Sequence, residues 1–223
     1  MATRPKISAV LDAHETLRAE LDAARRAEPT QADPRRPVVL CDTFLATMSR
    51  HIATVEDVLY PRARRLLPRT DGLAAEQVRI ARNVEHTMRA IEGTYYGDAY
   101  APAGPREPWW ALMADLLAEH DRAERVLLAR LCAAMSPDEL DELTVRFATV
   151  LERAPTRPHP YSPHSPRLSR WQHRFWAVAD RMMDAMDNRV IPTKPRTRHG
   201  APDSLLTQYL VGSPRSARSP AHR

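Results

Sequence analysis

Four histidines recur at similar intervals, at His14, His51, His86 and His120. Neutral imidazole is a good ligand for iron, zinc or copper, and helical bundles build metal sites by sending such side chains inward from facing helices. A carboxylate joins this set through its spacing. In the run His120-Asp121-Arg122-Ala123-Glu124 the acid follows the imidazole by four residues. At 3.6 residues per turn, the two side chains then lie within about 40° of each other on a helix surface. One histidine on an amphipathic helix is an ordinary hydrogen-bonded residue, and one HxxxE is weak. Glu119, Asp121 and Glu124 with Arg122 and Arg125 also fit a solvated charged face. It is the coincidence of four histidines, one on each of four successive helical segments, that points to a metal centre.

The elements that must carry these residues are helical. Leu, Ala, Arg, Glu and Met are abundant, Gly numbers 6 and Phe 3, and alternating β-branched runs are scarce. Val10, Leu11, His14, Leu17 and Leu21 share one face of a helix from about Lys6 to Ala27, which PTQADPRRP ends. A second helix spans about Val38 to Leu66, with Leu40, Phe44, Met48, His51, Ile52, Val55 and Leu59 as its apolar stripe and Pro61 as a candidate kink. A third opens near Asp71 and carries Val78, Ala81, Asn83, His86 and Ala90 before Gly97. A fourth starts near Trp109 and carries Leu112, Leu116, Leu117, His120, Glu124, Leu127 and Leu131. Ser136-Pro137-Asp138-Glu139 reads as a capping box with Pro at the first helical position, opening a shorter helix to about Arg153.

These motifs resemble those of the hemerythrin-like HHE cation-binding domains, which carry a His on helix one, HxxxE on helix two, a His on helix three and HxxxE on helix four. The matching stretches are DAHETLR around His14, SRHIATVEDVLYP around His51, VEHTMRAIE around His86 and AEHDRAERVLLARL around His120 and Glu124. The resemblance covers about residues 6–153. It implies an all-α, up-down four-helix bundle holding a non-haem diiron centre that binds or senses dioxygen or another diatomic, or reacts with peroxide. The ligands it implies here are His14, His51, His86, His120 and Glu124. One position departs from the pattern: the residue four after His51 is Val55, and the nearest acid, Glu56, is rotated about 140° from His51. Three occupancies stay open: two irons bridged by Glu124 and solvent, a single ion, or an empty polar centre in a non-enzymatic regulatory bundle.

Beyond residue 154 the composition changes. Residues 155–192 combine a proline-dense arm, PTRPHPYSPHSP, with an amphipathic helix expected over Leu168 to Arg189, and residues 193–223 read as a disordered basic tail. From Pro155 onward there are 12 Arg or Lys against 4 Asp or Glu, a charge of +8 that outweighs the whole chain's +5 and leaves residues 1–154 mildly acidic at −3. A nucleic-acid-binding core is therefore not expected, whereas the extension suits contact with an acidic partner or an anionic membrane surface. Cys41 and Cys132 have no CxxC spacing, and no apolar run suits a signal or a spanning segment, so a cytoplasmic protein with reduced thiols is expected. No phosphate loop, nucleophile triad or paired-acid motif suggests another enzyme class.

Overall fold

A computed structural model describes residues 8–67, 71–97 and 104–156. All but the first two residues of the proline-dense arm, including His159 and His164, together with the expected helix at 168–189 and the basic tail, lie outside the described residues. The described chain is all-helical: α1 (Ser8–Arg25), α2 (Arg36–Leu66), α3 (Asp71–Tyr96), α4 (Glu107–Ala134) and α5 (Pro137–Leu151). Cys41 is buried and Cys132 half-buried, and the two are not joined in a disulfide. Among the described residues no helix is long and apolar enough to cross a membrane.

Local chemistry sets the helix ends. α2 and α4 each open with a proline in the first turn, where the missing N–H has no partner to lose, and Glu107 complements the positive end of α4. Starting there rather than at Trp109, α4 gains Glu107 as a partner for Arg25 on α1, with Arg25 Nε 2.9 Å from Glu107 Oε1. α2 runs on through Pro61 to Leu66 and closes with Leu67 N–H on Ala63 O at 2.8 Å. α3 ends where Gly97 takes φ +74°, donating to Gly93 O at 2.9 Å, the left-handed cap that favours glycine. α5 opens with a complete capping box: the Ser136 side chain accepts from Glu139 N–H and the Glu139 carboxylate accepts from Ser136 N–H at 3.0 Å.

The four longer helices form a ring of neighbours, α1 on α2, α2 on α3, α3 on α4 and α4 on α1, with α2 also reaching α4 across the centre. α5 packs on α2 and touches α1. Two apolar clusters fill the interior. One contains Leu17, Phe44, Met48, Ile52, Trp110 and Leu117, with the Phe44 and Trp110 rings edge to face at 5.9 Å. The other contains Val10, Val55, Leu59, Leu127, Leu131 and Phe147. Each large side chain buried in them contributes about 1.5–3 kcal/mol. Along α1, α2 and α4 the two clusters are interrupted by buried polar residues at corresponding heights: His14 between Val10 and Leu17, His51 between Met48 and Val55, and His120 with Glu124 between Leu117 and Leu127. The interior is thus a polar layer between two apolar ones.

Removing the cap of α5 tests how that helix is held. Ser136→Ala is expected to cost about 1 kcal/mol, lowering the melting temperature by about 2–4 °C for a chain of this size. An unchanged denaturation midpoint would show that the box contributes nothing.

Candidate metal centre

His14, His51, His120 and Glu124 meet in the polar layer, each 1% exposed or less. Their convergence is centred on one atom. Glu124 Oε2 lies 2.9 Å from His51 Nε2, 3.2 Å from His14 Nε2 and 3.2 Å from His120 Nε2. The three rings stand edge to face, with centroids 4.8 Å apart for His14 and His51, 5.3 Å for His51 and His120, and 5.7 Å for His14 and His120. One donor atom from each residue lies within 4.8 Å of the others. Donors bound at about 2.1 Å to one ion lie no more than about 4.2 Å apart, so small side-chain rotations would close the group around a single ion. The four residues form a buried group that could hold a metal ion.

Each helix supplies its ligand for a local reason. His14 and Leu17, and His51 with Met48 and Val55, share helix faces that apolar packing forces inward, so the imidazoles are carried to the interior with them. His120 and Glu124, one turn apart on α4, project side by side. Phe147 from α5 covers the His51 ring at 6.2 Å between centroids. Water is thereby kept from that side of the site.

The electrostatics suit a cation. Burial alone would raise the pKa of Glu124, but the charge of His51 and the close approach of the His120, His14 and His51 ring nitrogens overcome it and hold the carboxyl well below its usual range. Burial lowers the pKa of His51, with Glu124 opposing. Hence the carboxylate is held in the ionised form, in which it can donate an electron pair to a cation. Glu124 Oε1 has no hydrogen-bond partner among the described residues. Tyr60 is buried with its hydroxyl unbonded among those residues, and burial followed by the charges of Glu56, Glu124 and Glu85 pushes its pKa well up, so it is a neutral phenol. No family model, curated protein or solved structure matches this chain. What the site can do therefore follows from its own residues.

One expected ligand lies elsewhere. His86 is not part of the group: it is exposed on α3, whose inward face carries Gln77, Ile80, Ala81, Val84, Met88 and Ile91. Two residues beyond Val84, His86 is rotated about 200° from that face, so α3 contributes no imidazole. Asp121, one of the acids that also fit a solvated charged face, is buried at 6% exposure. Its Oδ1 lies 3.0 Å from His14 Nδ1 and accepts from Arg125 Nε at 2.8 Å, and its Oδ2 accepts from Arg18. The signal for this was two interlocking pairs four residues apart, His14 with Arg18 and Asp121 with Arg125. Glu56 is also buried, at 7%, but is not one of the four converging donors.

Substitution separates these roles. Glu124→Ala should abolish metal uptake measured by titration calorimetry, whereas His86→Ala should bind as wild type does. Loss of binding on removing His86 would place a ligand on α3 and overturn this assignment.

Proposed function

We propose that this chain is a hemerythrin-like non-haem iron protein, an up-down four-helix bundle that holds one iron ion at His14, His51, His120 and Glu124 and engages dioxygen or peroxide there. The observation that carries this reading is the convergence of three imidazole Nε2 atoms on one buried carboxylate oxygen. Imidazole and carboxylate donors suit iron and zinc alike. The resemblance of the HHE-type motifs to hemerythrin-like domains selects iron.

The residues favour a single ion over the expected pair. A second ion would need donors from the positions of His86 and Val55, and one is exposed while the other is packed in an apolar cluster. On an ion that takes more than four ligands, as non-haem iron does, four protein donors would leave a position open for a small exogenous ligand. Bound iron would supply redox chemistry toward dioxygen or peroxide. The chain's part is to hold Glu124 ionised, to aim three imidazoles at one point, and to exclude bulk water with the two apolar clusters. Tyr60, a neutral buried phenol, supplies a proton-bearing group in the same interior. The basic segment beyond residue 154 is proposed to contact an acidic protein partner.

The test is loading with ferrous iron under anaerobic conditions, followed by exposure to dioxygen. The expected outcome is about one iron per chain by elemental analysis, reflecting the single donor set, and a change in the near-ultraviolet spectrum on exposure to dioxygen. Uptake of two irons per chain would revive the dinuclear reading. Absence of any uptake would leave the polar layer as a hydrogen-bonded core and favour the regulatory-bundle alternative.

A further inference from the structure

The three histidines are not equivalent on the side away from Glu124. By geometry none of the three Nδ1 atoms has a formed hydrogen bond among the described residues. Nδ1 of His14 alone has a carboxylate oxygen within reach, Asp121 Oδ1 at 3.0 Å, with the His14 side chain fully buried and that of Asp121 9% exposed. Asp121 is in turn held on both oxygens, by Arg125 Nε at 2.8 Å on Oδ1 and by Arg18 on Oδ2. Arg18 and Arg125 are about half exposed, at 45% and 46%. Their hydrogen bonds hold the Asp121 carboxylate in place beside the site.

We infer that Asp121 is a positioning residue for the metal centre, fixing His14 in the tautomer that carries its proton on Nδ1 and presents the Nε2 lone pair to the ion. This rests on the metal reading proposed above. A carboxylate accepting the far N–H of a ligating imidazole sets the ring's orientation and raises its basicity, and losing such a partner costs about 10–100-fold in metal affinity. Among the described residues only the α1 ligand has a carboxylate within reach of its Nδ1, so only a small reorientation separates it from that arrangement. α1 is also the shortest of the four helices that ring the site, and its ligand is the one tied laterally to α4. Arg18, one turn after His14, completes the clamp: α1 supplies the ligand and a cation that holds the ligand's own orienting anion.

The experiment uses the full chain loaded with zinc, a diamagnetic probe, and compares wild type with Asp121→Leu, Asp121→Asn and Glu119→Gln. Zinc affinity is read by competition with a chelator, fold by circular dichroism, and the tautomer of each histidine by long-range proton–nitrogen correlation of the imidazoles. Wild type should show His14 protonated on Nδ1 with that proton shifted far downfield by the carboxylate. Asp121→Leu should lose the downfield signal and bind zinc about 10–100-fold more weakly. Asp121→Asn, whose amide oxygen can still accept, should fall between, and this keeps the test informative if the leucine variant does not fold. Glu119→Gln, which removes an acid of α4 outside the site, should match wild type. The inference is overturned if folded Asp121→Leu or Asp121→Asn keeps wild-type affinity and the downfield His14 proton. Failure of wild type itself to take up zinc would instead remove the metal reading, and this inference with it.

Discussion

The arrangement depends on one buried anion, the Glu124 carboxylate, placed where three helices must each deliver an imidazole. An isolated carboxylate in an apolar interior costs several kcal/mol, and only close, well-oriented partners offset this. Here the partners come from three separate helices at 2.9–3.2 Å. A shift of α1 or α2 along its axis by a single residue, about 1.5 Å, would break these contacts and leave a buried charge uncompensated. The polar layer therefore fixes the register of α1, α2 and α4 relative to one another, and a cation in that layer would stabilise the same register by binding only the folded chain.

The apolar clusters on either side make this layer possible. They supply the bulk of the non-directional stabilisation and seal the site from solvent at both ends, while the directional demands are confined to a few residues. Their division of labour also explains the two helices that send no ligand. α3 completes the ring and walls one side with Ile80, Val84 and Met88, and α5 lies over α2, where Phe147 meets the His51 ring. Asp121 extends the polar layer outward toward Arg18 and Arg125, so the interior charge is connected to the surface through one defined route.

Much of this was readable in the residues because α1, α2 and α4 have strong apolar periodicity, and His14, His51, His120 and Glu124 fall in phase with it. The capping box at Ser136 was equally local, resting on residues three apart. α3 was harder. A stripe through Val78, Ala81, His86 and Ala90 competes with one through Gln77, Ile80, Val84, Met88 and Ile91. The second wins because it presents more apolar area to the neighbouring helices. Choosing the first placed His86 inside by analogy with its three counterparts. Asp121 was hidden for a different reason. Neighbouring arginines make an acid look solvated, and only the approach of α1 to α4 reveals that one of its oxygens is shared with His14. Pairings between residues 107 positions apart in sequence are set by helix packing, which local spacing does not encode.

The most direct test is a crystal structure of the chain grown with iron, with anomalous diffraction recorded at the iron absorption edge. One strong peak is expected, about 2.1 Å from His14 Nε2, His51 Nε2, His120 Nε2 and a Glu124 carboxylate oxygen. Data with no peak in the polar layer, or with iron held at a site that excludes Glu124, would contradict the account.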